Sequence, residues 1–281
     1  MKTKILFLFL FTLTTNIYSQ NDSVISVDHS KITLSTDIIP QWKVQIEVGG
    51  TSLYSRDKRI YYEGTPGEYY ITSYQLDLAL PYLTFRIGIF KNVEIRIASV
   101  FKQMHYRVES NSLQIFSRQN GYYGGAPVEA GLKIKLLEEN KIIPSTAIKA
   151  DIFIPAGNFY FHMDYVSPVF RLMLHKKISN NFSIGANAGY GWNVYDNFTD
   201  KYGSYSVSLN ASVSKKLGAF AEAFSYFQHG RTPDHRLGAG LSYRFAKNVM
   251  AVVQGGFGIS ERAPDIFGSG GIGFMFPQER G

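Results

Sequence analysis

Charged residues stand at every second position through the most apolar stretches of this chain. In "FRIGIFKNVEIRI" (residues 85–97) Arg86, Glu94 and Arg96 alternate with Phe85, Ile87, Ile95 and Ile97. Lys102, Glu129, Lys133, Lys149, Asp151, Arg171, Glu222, Arg236 and Arg244 take the same alternating place in later stretches. Side chains of both signs on one face can neutralise each other in a confined interior, or they can line and constrict a path for solutes. Lys and Arg outnumber Asp and Glu among these positions, which favours anions over cations in such a path.

Catalytic chemistry finds less support. Nucleophilic catalysis needs a nucleophile and a base poised together, and none of the six histidines (His29, His105, His162, His175, His229, His235) has a serine at a neighbouring same-face position of its own segment. There is no cysteine, so no thiolate metal site or disulfide can form, and the histidines lack paired metal-ligand spacing. The acids Asp196, Asp200 and Asp234 could hold a calcium ion, although solvated loops account for them equally well. Glycines in "GYGWN" and "GSGGIGF" lie inside strand-like segments and follow no strand-to-helix phosphate loop. No cofactor is expected. The formal net charge of +7 is scattered, without the clustered basic face that nucleic-acid binding requires.

The elements that position these charges read as strands. Residues 1–19 have a basic start, an apolar run and small or polar residues before Gln20, the pattern of a cleaved secretory signal peptide. Residues 20–40 follow as a periplasmic or plug segment. From 41 to 276 period-2 alternation recurs in segments at about 41–54, 69–89, 93–108, 126–137, 144–155, 167–177, 182–194, 204–215, 219–228, 235–245, 249–259 and 265–276, with 277–281 as a tail. No stretch after the signal is apolar for the length of a membrane helix. Pro81 predicts a bulge or bend in the second segment. Connections alternate: "FKN", "EENK", "SNN", "KLG" and "AKN" are short, while 55–68, 109–125, 156–166 and 195–203 are long.

A soluble sandwich has no reason to sort its turns by length. An outer-membrane barrel does, with short periplasmic turns at one rim and longer loops at the other. Aromatics sort by height as well: Trp42, Phe182, Phe245, Phe274 and Phe276 fall at short-turn ends, and Tyr190, Trp192, Tyr205, Phe227 and Phe257 toward the loops. The expected fold is all-β, a transmembrane antiparallel β-barrel of about 12 strands, outer-membrane type. Its apolar face meets lipid and its charges face the lumen. With "FKN" as the turn, Ile89 should pair with Val93 and Arg86 with Arg96, and Glu94 should bridge both arginines. In "FKN", "SNN" and "AKN" the final Asn is expected in the left-handed conformation that ends a three-residue hairpin with a bulge.

The stretches "LPYLTFRIGIFKNVEIRIA" (80–98), "GAPVEAGLKIKLLEE" (125–139), "FSIGANAGYGW" (182–192), "AFAEAFSYF" (219–227) and "GSGGIGFMF" (268–276), in order and spacing, resemble the outer-membrane transporter barrels named after the meta-pathway of phenol degradation. The resemblance implies an outer-membrane barrel for uptake or efflux of small molecules, aromatic ones among them, and directs attention to Arg86, Gly88, Glu94, Arg96, Glu129, Glu139 and Glu222. The early "DRP" signature is missing: "STDIIPQW" keeps Asp37 and Pro40 without an arginine between them. Expected partners are outer-membrane lipid, an unidentified small solute and the barrel-assembly machinery. Two other readings stay open: a sealed structural barrel whose loops, such as "NFYFHMDY" (158–165), engage a partner, and a lipid-modifying hydrolase or acyltransferase in the membrane.

Overall fold

The computed structural model describes residues 25–28, 32–62, 68–110, 117–192 and 201–276; the expected signal peptide and the tail from 277 lie outside the described residues. Among the described residues the chain forms β1 (Val44–Tyr62), β2 (Glu68–Phe90), β3 (Val93–Ser110), β4 (Ser117–Gly125), β5 (Val128–Leu137), β6 (Ser145–Ile154), β7 (Ser167–Lys177), β8 (Phe182–Trp192), β9 (Lys201–Ser212), β10 (Leu217–Gln228), β11 (Asp234–Ala246), β12 (Val249–Gly258) and β13 (Ile266–Phe276). Each strand pairs antiparallel with its neighbour, and β1 pairs with β13, so the sheet has closed on itself. β4 and β5 follow end to end along β3, β4 on its outer half and β5 on its inner half. They therefore occupy one place in a closed ring of 12.

Closure removes the sheet edges that lipid could not satisfy. The alternation then sorts side chains by solvent: Phe85, Ile97, Leu132, Ile152, Leu209 and Val253 lie exposed on the outside, whereas Arg86, Glu94, Arg96, Lys133, Lys149 and Asp151 are buried within. Exposure of such large apolar residues is the normal state of a wall facing acyl chains. The expected rings are present at both heights, with Trp42, Phe182, Phe245 and Phe276 exposed at the short-turn rim and Tyr190, Tyr205 and Phe257 toward the other. Tyr205 stacks on Phe227 with centroids 5.3 Å apart.

Three details depart from the sequence reading. β1, β2 and β3 run to 19, 23 and 18 residues, well beyond the roughly 9–11 that cross a bilayer. Residues 55–62 and 117–125, expected in loops, are thus strand that continues past the membrane zone. Second, the β2–β3 turn is two residues, Lys91 and Asn92; the register slips between Gly88 and Phe90, so Phe90 rather than Ile89 faces Val93. Third, Trp42 is the one non-glycine residue with positive φ among the described residues, so the turn asparagines are not left-handed. Their carbonyls serve instead: Asn92, Asn181 and Asn248 each accept a backbone N–H from the next strand, from Lys135 (2.9 Å), Ser212 (2.8 Å) and Met275 (2.9 Å). The bulge expected at Pro81 is present as a register shift between Ala79 and Tyr82, and the Leu80–Pro81 peptide is cis.

Leu209 on β9 pairs with Ile184 and Ala221 in mid-wall and points outward. Leu209→Arg should lower unfolding free energy by about 2–4 kcal/mol in a bilayer. Denaturant titration of the refolded variant in vesicles measures it, and an unchanged midpoint would contradict an outward, lipid-facing Leu209.

Candidate functional site

The register of the β2–β3 hairpin sets Arg86 opposite Arg96 and Gly88 opposite Glu94. Two facing guanidinium groups repel, and the structure places an acid wherever they would. Glu94 receives Arg86 through two hydrogen bonds of 3.0 Å and lies 3.6 Å from Arg96. Glu47 on β1 accepts from Arg86 at 2.9 Å. The sixth member comes from outside the wall: Asp28 of the N-terminal segment binds Arg96 at 2.7 Å, Lys133 at 3.2 Å and Arg86 at 3.4 Å. Three acids thus neutralise three bases, all buried. Burial by itself would raise the Asp28 pKa, but the charges of Arg86, Lys133 and Arg96 outweigh it and hold the carboxyl well below the usual range.

The rest of the described N-terminal segment crosses the lumen at this level. Ile25 packs on Met275 and Ile39, and Ser26 O accepts from Arg86 (2.9 Å) and Gln45 (2.7 Å). Beyond Asp28, the backbone N–H groups of Ile32 and Thr33 donate to Glu222 on β10 at 3.2 and 3.0 Å. Leu34 packs on Ala147 and Met173, Thr36 Oγ1 lies 2.8 Å from Ser145 Oγ, and Lys133 donates to Asp37 O at 2.7 Å. Ile39 N donates to Glu94 at 2.8 Å. A side chain at Gly88 would come within 2.2 Å of Ile39 O, so this glycine gives the segment room to approach. The chain then turns into β1 through Pro40 and Trp42, with Lys43 N donating back to Pro40 O at 3.0 Å and Trp42 held at φ 63°. The segment meets wall residues from β2, β3 and β5 round to β10 and β13, and so forms a floor across the lumen.

A second ionic group sits nearer the long loops. Lys149 lies 2.8 Å from both Glu129 and Asp151, and Tyr82 donates to Glu129 at 3.2 Å. Above it the connection between β6 and β7 folds inward. Phe161 packs on Val100 and Ala126, and Tyr160 meets Tyr122 with ring centroids 4.7 Å apart. Between this lid and the wall lies a cavity of about 310 Å³, lined by Leu53, Asp77, Lys102, Met104, Tyr160 and His162 among others. Small-molecule pockets span about 300–1,000 Å³ and are mostly apolar with a few polar groups. This vestibule fits that description.

The remaining residues singled out from the sequence scatter over the inner wall. Arg171 borders a narrow cleft with Ile32, Asn187 and Tyr226. Arg236 pairs with Asp234 at 2.8 Å and lies over the Phe224 and Tyr226 rings, so Asp234 is engaged by a cation of its own strand; Asp196 and Asp200 lie outside the described residues. Arg244 is half-buried near the short-turn rim, and Glu139 accepts from Lys177 N at 2.9 Å. Sequence reasoning missed Asp28 and Glu47 as members of the cluster, and the vestibule aromatics Tyr160 and Phe161. It also missed a serine beside His235. Ser225 Oγ lies 2.6 Å from His235 Nδ1 because the β10–β11 register sets the two opposite each other, a pairing that a search along one strand does not see.

The model of a family described as "Putative MetA-pathway of phenol degradation" matches residues 65–276. The chain belongs to this family. Within the phenol-degradation family match fall Arg86, Glu94, Arg96, Glu129 and Lys133, whereas Asp28 and Glu47 lie before it. The barrel is similar to an outer membrane channel from Pseudomonas putida F1 (14% identity, 86% of this chain and 98% of that one, TM-score 0.56). It is also similar to the transport unit of the autotransporter AIDA-I from Escherichia coli (9% identity, 84% and 90%, TM-score 0.53). At such identities the likeness is one of fold. No curated protein matches the chain.

Asp28→Asn leaves three buried cations facing two acids. Removing one member of a buried ion pair costs about 3–5 kcal/mol, and hydrogen exchange at residues 32–40 should accelerate accordingly. In the unsubstituted protein Asp28 holds the segment at neutral pH, and that contribution is lost only as pH falls through its depressed native pKa. Protection of residues 32–40 should therefore persist down to about pH 4, the ordinary carboxylate value, and fail below it. Failure already near pH 6 would contradict the depressed Asp28.

Proposed function

We propose that the protein is an outer-membrane channel for small molecules, entered through the vestibule beneath Tyr160 and Phe161 and closed from the periplasmic side by residues 25–28 and 32–40. The observation that carries this reading is the vestibule itself: a cavity inside a closed barrel, on the long-loop side of a floor that is not part of the wall. A barrel serving only as a scaffold has no need to keep such a space. The family match and the channel named among the structural neighbours support it.

The lining sets the solute class. Leu53, Met104, Tyr160 and Phe161 offer apolar and aromatic contact, while Asp77, Lys102 and His162 offer polar groups. A small aromatic molecule bearing a hydroxyl or carboxylate satisfies both. Passage requires the floor to move, because Arg86, Glu94 and Lys133 are fully buried beneath it. When Asp28 leaves, Arg86, Arg96 and Lys133 face only Glu47 and Glu94, and the constriction carries a surplus positive charge that favours anions. The signal peptide and delivery by the barrel-assembly machinery belong to the same reading.

Single-channel conductance of the full-length barrel in planar bilayers, compared with a deletion of residues 25–40, tests it. The full-length protein should be mostly closed, the deletion open with a preference for anions, and Arg96→Ala in the deletion background should reduce that preference. Asp28→Asn should raise open probability without removing any wall residue. Electrical silence of all four proteins, together with unchanged uptake of an aromatic carboxylate by a deletion strain, would point to the sealed structural barrel.

A further inference from the structure

We propose that the short-turn rim is a collar that selects anionic phospholipid headgroups from the leaflet around it. The observation is a difference of charge between the two ends of the barrel. The connections at this rim carry Lys91, Lys141, Lys177, Lys215, Lys216 and Lys247, all exposed. Acids at this rim, among the described residues, are few: Glu138 and Glu139 in one turn, and the exposed Asp37 of the N-terminal segment, whose neighbour Thr36 meets Ser145 at the start of β6. Glu138 pairs with Lys135 at 2.7 Å, and Glu139 accepts from Lys177 N and faces Lys176. The opposite end mixes its signs, with Arg107 against Glu109, Arg236 against Asp234, and Asp265 accepting from Arg56 N. A rim charged merely for solubility would mix its signs in the same way.

Position gives the lysines their partner. Each turn places a lysine one or two residues from an exposed apolar side chain: Phe90 beside Lys91, Ile142 beside Lys141, Ile178 beside Lys177, Val213 before Lys215, and Phe245 before Lys247. The apolar member belongs to the acyl boundary. From there a lysine stem runs along the hydrocarbon edge and delivers its ammonium group to headgroup level. Repeated around a closed barrel, this arrangement presents a ring of point charges at the height of lipid phosphates, which attracts anionic lipid and weakens with salt. An acidic macromolecule in the periplasm would meet the same charges, but it would give no reason for pairing each one with an apolar residue.

The two tryptophans stand at opposite ends, Trp42 at this rim and Trp192 toward the long loops, and so make separate reporters. Full-length Trp192→Phe protein is reconstituted into phosphatidylcholine vesicles carrying a minor fraction of either brominated phosphatidylglycerol or brominated phosphatidylcholine. At low salt the brominated phosphatidylglycerol should quench Trp42 more strongly, reflecting a local enrichment of about fivefold for each lysine near the lipid surface. The excess should shrink at high salt, and it should vanish when Lys91, Lys215, Lys216 and Lys247 are replaced by Gln. The Trp42→Phe protein, reporting from Trp192, should show no such excess. Equal quenching of Trp42 by the two lipids overturns the proposal, as does an excess that survives the four substitutions. Binding of the vesicle-embedded protein to isolated peptidoglycan, lost in the lysine variant while the quenching ratio stays at one, overturns it in favour of a periplasmic polymer.

Discussion

Arg86 has no water to face, and much of the barrel's inner arrangement follows from that. A fully buried guanidinium survives only if its donors are met and its charge is balanced. Glu94 meets it across the hairpin, Glu47 from the neighbouring strand and Ser26 O from the N-terminal segment. Glu94 in turn accepts Ile39 N, which fixes where the segment leaves the lumen. Asp28 supplies the last charge and joins Arg96 and Lys133 to the same group. The wall carries a surplus positive charge and the segment carries the acid that completes it, so neither is electrostatically complete alone.

This division explains why the barrel was legible in the sequence and its floor was not. Lipid outside and a confined polar interior impose strict period-2 sorting on every wall strand. Segment positions such as 167–177 and 249–258 could be read from it to within a residue or two. The sorting weakens where the membrane ends. "SRQNGYYGG" in β4 alternates nothing, because it pairs only with the outer half of β3 and has no lipid to face. The Arg86–Glu94–Arg96 geometry was readable because hairpin register follows from the turn, even with the bulge one residue away from its expected place. Asp28 was not, since its partners lie 58 or more positions along the chain and its own segment has no period to say which way it points. The Ser225–His235 contact escaped for a related reason: it depends on cross-strand register, not on spacing within a strand.

The lumen is filled in two different ways. Toward the short turns, ions and backbone amides close it with directional bonds, each of which has one geometry. Toward the long loops, Phe161, Tyr122 and Tyr160 cover it with apolar and aromatic contacts, whose driving force is non-directional. The Tyr82–Glu129–Lys149–Asp151 group lies between the two regimes, with one buried Asp151 oxygen left without a partner. From the vestibule toward the short turns the inner surface therefore becomes increasingly polar.

Both ends of the floor lie at the same rim. Ile25 rests against Met275 at the end of β13, and Pro40 lies against Gly88 beside the β2–β3 turn. A segment that enters and leaves by one mouth forms a loop rather than a thread. Its described residues reach the wall by way of that one mouth. The β1–β13 pairing closes the wall through strands alone, and the floor hangs from that closed ring as a separate body.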